Sequence, residues 1–326
     1  MFEIKQFDLV STDIQKFSEM YKKCLNQTVD YNYFKWKYID NPAGELIGYL
    51  ALDGGNIAGF YGVIPEKYIV DGQQITIFQS MDTMTHPDYQ KRGLFTLLAK
   101  KTYETILNEN SSALIIGIPG SNSYHGFVNK LQWNHIHSFS YIFLPKYLFK
   151  LLNLFNNKKT SIQTINTFST LEIKAFLFKY NNSNSGIKPY IDDVFLNWRI
   201  KEHPFKKYNS ITININEKII GLAIYYITES NNCFIEWLMA EENDKLKKVI
   251  SVFCEYIFMK HKTNNIYTWK PNKSKASKQF KSLGFITNPL TKGPFSYKIP
   301  FIVFTKNNRD DLLHIDNYDL QPIIQD

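Results

Sequence analysis

The chain has 326 residues, 44% of them hydrophobic, and carries 38 basic against 30 acidic side chains, a formal charge of +8. That length and apolar content suit a folded globular protein of two domains. The positive balance points to an anionic partner: nucleic acid, a phosphorylated cofactor or a membrane surface. Three cysteines, Cys24, Cys233 and Cys254, stand in no CxxC or Cys/His spacing, which argues against a disulfide framework or metal site and fits a reducing compartment. No apolar run reaches the roughly 18–20 residues that span a bilayer. The N-terminal MFEIKQFDLVSTDIQKF alternates and carries acids, unlike a secretory signal, so a cytoplasmic protein is expected.

In chain order, the pattern predicts a strand at 3–8, helices at 13–25 and 31–38, and three antiparallel strands across 47–85. A helix at 94–108, a strand at 113–118, a short helix at 124–131 and a strand at 136–144 follow. Leu94, Leu97, Leu98, Ile106 and Leu107 recur roughly on one face of the 94–108 helix. Before it, Pro87-Asp88 stops the strand that begins near Ile75, and Gln90-Lys91-Arg92-Gly93 forms a basic turn. Strand, glycine turn and helix N-terminus leave backbone N–H groups unpaired at the positive end of a helix dipole, which suits an anion. The segment PKYLFKLLNLFNNKKT, residues 145–160, reads as a small amphipathic helix packed between domains, its apolar stretch being short for a membrane surface. Elements of the same kinds recur from Ile162 to about Phe304. The polar tail, 309–326, reads as a docked or partly disordered extension.

The two halves are related. YFKWKYIDNP at 33–42 matches FLNWRIKEHP at 195–204, pairing Trp36 with Trp198, Lys37 with Arg199 and Pro42 with Pro204 at an offset of 162. The same offset carries Ile57-Ala58-Gly59 onto Ile219-Ile220-Gly221. Farther on, Pro119, Leu131 and Trp133 meet Pro271, Leu283 and Phe285 at an offset of 152. Ordered anchors at two constant offsets indicate an internal duplication, and strands mixed with helices make each half an α+β unit.

The stretch PDYQKRGLF, residues 87–95, resembles the acetyl-CoA pyrophosphate loop of the GNAT superfamily of N-acetyltransferases, whose pattern is Gln/Arg-x-x-Gly-x-Gly/Ala. Gln90 and Gly93 fit, and Phe95 stands where Gly or Ala is usual. PGSNSYHGFVNKLQW, residues 119–133, is similar to the family's PNxxSYxGFxxxLGW segment, with Gly120 in place of Asn and Gln132 in place of Gly. The resemblance covers the first 150 residues or so and is nearest to tandem-domain members and those associated with surface-polysaccharide loci. It implies a duplicated GNAT fold: an N-terminal GNAT domain at 1–150, a linker at 151–160, a degenerate C-terminal copy at 161–308 and a tail at 309–326. It also implies an acetyltransferase that binds acetyl-CoA through Met84, Thr85, Gln90, Lys91, Arg92, Gly93, Leu94, Phe95, Thr96 and Asn122. The strand over residues 81–85 is expected to splay from its neighbour and pair with the pantetheine arm. The acceptor would be a small-molecule primary amine, such as an amino sugar or sugar nucleotide. The second half, with Glu241-Glu242-Asn243-Asp244 where the loop should be, is expected to bind no cofactor, because like charge repels pyrophosphate.

For catalysis, the family's usual tyrosine slot falls on Phe127, so Tyr124 is the candidate acid for the departing thiolate. Asp82 is the first candidate base, His86 the second and His125 the third. Plainer roles stand beside these: an exposed strand carboxylate for Asp82 and a surface residue at a helix entry for His86. Asn41-Pro42 and Gly44 suggest a turn near the acceptor entrance. Two other classes stay open. One is a non-catalytic tandem binding module, consistent with Phe127. The other is an anionic-surface or nucleic-acid binder using KPNKSKASKQFK, residues 270–281, whose Lys275, Lys278 and Lys281 more simply form a solvated helix face.

Overall fold

The computed structural model describes residues 1–152, 160–183, 186–271, 274–290, 292, 295–306 and 310–324. Residues 153–159, most of the expected linker, lie outside this set. The first series runs β1 (Glu3–Gln6), α1 (Ile14–Leu25), α2 (Tyr31–Tyr38), β2 (Ile47–Asp53), β3 (Asn56–Val70), β4 (Gln73–Thr85), α3 (Leu94–Glu109), β5 (Leu114–Gly117), α4 (Ser121–His125) and β6 (Asn134–Pro145). After α5 (Lys146–Leu151) the second series runs β7 (Thr160–Thr164), α6 (Leu171–Asn182), β8 (Lys188–Pro189), α7 (Asp193–Leu196), β9 (Asn209–Ile215), β10 (Lys218–Ile227), β11 (Cys233–Ala240), α8 (Leu246–Lys260), β12 (Asn265–Lys270), α9 (Lys275–Ser282), β13 (Ile286–Thr287) and β14 (Ile299–Thr305).

Each half places helices on both faces of its strands. In the first, Phe17, Phe34 and Tyr38 of α1 and α2 pack with Phe60 and Met84 on one face. Leu94, Leu98 and Tyr103 of α3 pack with Ala58, Tyr61 and Val63 on the other. In the second, α6 brings Phe176 and Leu177 to Ile224 and Trp237, and α8 brings Val249, Phe253 and Ile257 to Ala223 and Tyr225. The expected tail is docked over its described part, with Leu312, Tyr318, Leu320, Ile323 and Ile324 buried. Lys278 and Lys281 on α9 are exposed, as a solvated helix face requires.

The duplication appears in the geometry. Asp30 caps α2 by accepting Tyr33 N–H, and Asp192 caps α7 by accepting Phe195 N–H, again 162 residues apart. The indoles of Trp36 and Trp198 stack with centroids 5.2 Å apart. Each indole N–H donates to the other residue's carbonyl, at 2.9 and 2.8 Å. Two equivalent residues bonding reciprocally mark a local twofold relation between the halves. A sequence repeat of this kind therefore reports a contact as well as an ancestry.

The fourteen strands among the described residues belong to one sheet, with main-path order β1-β2-β3-β4-β5-β14-β6-β12-β11-β10-β9-β7. β4 and β5 pair parallel, as β11 and β12 do. The closing strands are exchanged: β14, from the second series, pairs with β5, and β6, from the first, pairs with β12. β6 and β14 also pair with each other, so the two halves share a continuous hydrogen-bonded ladder.

Candidate active site

The parallel pairing of β4 with β5 runs through Phe78↔Ile115, Gln79↔Ile116 and Ser80↔Gly117, and there it stops. Beyond it β4 carries a bulge, where the register with β3 shifts between Phe60 and Gly62 and Asp82 takes φ 48°. The two strands diverge, and the β5-facing edge of residues 81–85 has no strand partner. This is the splay expected from the family resemblance.

On one side of the splay lies a cleft of about 810 Å³ at the start of α3. The turn before that helix holds Lys91 at φ 63° and Gly93 at φ 79°, and Gly93 is the helix N-cap without a side-chain cap. None of the backbone N–H groups of residues 91–96 finds an acceptor among the described residues; the ladder begins with Leu97 N–H donating to Gly93. The result is a concave run of unpartnered donors at a helix dipole's positive end. Met84, Thr85, Gln90, Lys91, Gly93, Leu94, Phe95, Thr96 and Asn122 all line this cleft. Arg92 does not. Its guanidinium folds back over the Tyr89 ring, 5.2 Å from the centroid, and donates to the Asp88 carbonyl. Lys23 and Lys130 line the cleft in addition. Phe95 packs edge-on to Phe127 at 5.1 Å. A Cβ at Gly126 would approach Phe95 to 2.8 Å, so the bulky residue in the loop is matched to a glycine on the facing turn.

On the other side of the splay is a cavity of about 640 Å³, which shares Thr83 and Ser123 with the cleft. Asp82 lines it. Its carboxylate is held by Lys37 Nζ at 2.7 Å, Tyr38 Oη at 2.7 Å and Tyr21 Oη at 3.1 Å. Lys37 is fully buried, so desolvation pulls its pKa down while Asp82 opposes the shift. Burial first, and the Asp82 charge second, hold the Tyr38 phenol well above its usual range. Asp82 is therefore no exposed strand carboxylate.

The cavity wall opposite β4 comes from the second half, as His203, Phe205 and Lys206. His203 and Pro204 occupy the repeat position of Asn41-Pro42, so the cavity is lined by the repeat partner of the Asn41 turn and not by that turn itself. Asn41, Pro42 and Ala43 instead join Phe195 in the equivalent hollow of the second half, about 20 Å³, which Ile324 of the tail also lines. Gln321 of the tail also accepts the Leu238 N–H of β11 at 2.9 Å. The tail thus packs the second half's counterpart of the cavity.

Two of the expected catalytic residues are not brought to the junction. His86 caps the short turn after β4, its Nε2 3.2 Å from Lys23 Nζ and its Nδ1 accepting Asp88 N–H, and it lines neither cavity. Tyr124 turns into a third hollow, where its hydroxyl lies 3.0 Å from His135 Nδ1. His125 lines both that hollow and the cleft. The sequence reading missed Tyr21, Lys37 and Tyr38 around Asp82, Gln79 in the cavity wall, and the residues from the second half. The Lys37/Arg199 pair within the repeat was the available signal, since basic residues flanking a buried tryptophan need an acidic partner.

Residues 8–136 match a family model described as an acetyltransferase (GNAT) domain. Among solved structures, the chain is similar to a GCN5-related N-acetyltransferase from Anabaena variabilis (TM-score 0.68, 12% identity, 94% of this chain and 73% of that one). It is also similar to a probable N-acyltransferase from Enterococcus faecalis (0.69, 11%, 94% and 73%). A tandem GNAT protein from the clavulanic acid biosynthesis pathway is matched over its full length (0.60, 10%, 95% and 100%). No curated protein matches the sequence. Residues 8–136 thus match an acetyltransferase (GNAT) domain, and the chain as a whole has the duplicated GNAT fold. Among the described residues, no helix is long and apolar enough to cross a membrane.

Proposed function

We propose that the chain is an acyltransferase that moves an acetyl group from acetyl-CoA to a primary amine on a small molecule, in the reducing cytoplasm that its free cysteines suit. The observation that carries this reading is the run of unpartnered N–H groups at 91–96, opening onto the splayed edge of β4 and meeting a second cavity at Thr83 and Ser123. A pyrophosphate fits such a cradle because several oriented amides and the helix dipole act on it together. Lys23, Lys91 and Lys130 add positive charge around the cleft. When bound, acetyl-CoA supplies an activated acyl thioester. The chain's own part is to hold that donor along residues 81–85, to admit the amine from the opposite cavity, and to take its proton at Asp82, directly or through a water. Tyr124 lies outside the junction, so in this reading the leaving thiolate departs without that residue's proton, which a group of pKa about 8.5 tolerates. An amino sugar or sugar nucleotide is the acceptor that the family resemblance favours.

Calorimetry with acetyl-CoA tests the reading. One site per chain is expected, because among the described residues the cradle is found in the first half. Gly93→Asp should abolish binding: Gly93 sits at φ 79° with open space around its Cβ position, so the new carboxylate would project among the donors meant for phosphate. Unchanged affinity in a folded Gly93→Asp chain, or two equal sites, would overturn it.

A further inference from the structure

The cavity beside the splay has two chemically different ends. At the β4 end, Gln79 is 2% exposed and donates through Nε2 to the Ile324 carbonyl at 2.8 Å. That bond fixes the amide's orientation, and Oε1 is left without a hydrogen-bond partner. That oxygen is closed to solvent, so it adds negative potential behind this end of the cavity rather than a direct contact. With the Asp82 carboxylate beyond it, this end suits an ammonium or amine.

The end supplied by the second half has the opposite character. His203 Nδ1 accepts two backbone N–H groups, from Phe205 at 3.2 Å and Lys206 at 3.1 Å. Nδ1 therefore carries the lone pair and Nε2 carries the hydrogen, a donor. Burial first, then the charges of Arg199, Lys206 and Lys37, lower the His203 pKa to about 3, which keeps the ring neutral. Lys206 is exposed and has no carboxylate within ion-pair distance among the described residues. Burial lowers the Lys206 pKa and the Glu236 charge opposes that; Glu236 does not line the cavity, is 4% exposed and already takes the Tyr208 phenol at 3.2 Å.

We propose that the acceptor is a bifunctional small molecule, an amine that also bears an anionic group, and that Lys206 with His203 from the second half binds that anion while Asp82, with the Gln79 carbonyl behind it, receives the amine. The proposal rests on the acyl-transfer reading and adds the acceptor's charge. It gives the second half a positive role: its loop carries the specificity of a reaction performed in the first. A cavity of about 640 Å³ is within the usual size of small-molecule sites. Carboxylate and phosphate share the required chemistry, and the test separates them.

The probes are an α-amino acid and glucosamine 6-phosphate as anionic amines, with the amino-acid amide and glucosamine as their neutral counterparts. Binding is read first by calorimetry without a donor, so the outcome does not depend on turnover. Transfer is then read by thiol release from acetyl-CoA. At least one anionic probe should bind about tenfold or more tighter than its neutral counterpart. Lys206→Met should remove that preference through KM rather than kcat, and Lys206→Glu should reverse it, with acetyl-CoA affinity unchanged in both. The probe that shows the effect identifies carboxylate or phosphate. Equal binding of charged and neutral amines, or a preference surviving in Lys206→Met, overturns the proposal. Loss of acetyl-CoA binding by the wild type would instead overturn the acyl-transfer reading.

Discussion

Asp82 shows how one residue can join fold and chemistry. A left-handed backbone is costly for a non-glycine residue, and aspartate is among the side chains that tolerate it best. Here the bulge that imposes it also presents the carboxylate to the cavity, where Lys37, Tyr21 and Tyr38 hold it. Asp82→Asn would leave the Lys37 ammonium buried without its counter-ion, a change that typically costs about 3–5 kcal/mol. Thermal denaturation should show that loss, and turnover should fall with it. The double variant Lys37→Met/Asp82→Asn separates the two roles. It should recover most of the stability, because no buried charge remains, and recover none of the turnover. Recovered turnover would remove Asp82 from the proton path.

At the scale of elements, the two strand-to-helix loops show why one half keeps a cradle and the other does not. Between β4 and α3 the chain spends residues 86–93; between β11 and α8 it spends only 241–245. The loops start alike, with His86 N–H donating to Ala58 and Glu241 N–H to Ile220. The second then fills itself. Glu241, its side chain 3% exposed, takes Lys179 at 2.8 Å, Lys245 at 2.9 Å and Lys218 at 3.0 Å. The Lys179 contact leads in lowering its pKa to about 2, with Lys245 and Lys218 adding to it. An internal carboxylate thus gathers the cations at this helix start. Because the folded pKa lies below the ordinary 4.5, this contribution is present above pH 4.5 and fades as the pH falls toward 2. Glu241→Gln should therefore destabilise the chain at neutral pH by about 1–2 kcal/mol, the half-exposed lysines limiting the gain. In denaturant titrations the gap from wild type should close toward pH 2. A gap independent of pH would show that packing, not charge, accounts for the effect.

For the whole molecule, the exchange of β6 and β14 makes the halves interdependent. A chain ending at residue 152 would keep the first helices and strands but lose β14, leaving the inner edge of β5 unpaired and Phe139 without Trp269 stacked on it at 4.5 Å. We expect the fragment 1–152 to lack a cooperative thermal transition and dispersed amide resonances, whereas the full chain melts in one step. A cooperatively folding fragment would show that the first half closes its own sheet. The same interdependence brings His203 and Lys206 to a cavity whose β4 wall lies more than a hundred residues earlier.

The amino-acid sequence by itself determined what depends on local order. The element sequence of the first half and the glycine turn before α3 were legible because period, caps and φ preferences act over a few residues, whereas the splay was expected only from the family resemblance. The duplication was legible because its anchors keep constant offsets. Only the tertiary structure decided what depends on contacts between distant residues. It turned Tyr124 toward His135, folded Arg92 onto Tyr89, exchanged the closing strands and walled the cavity with the second half. Side-chain direction and strand partnership are settled by the packing of the whole chain, and a motif nine or fifteen residues long does not contain it.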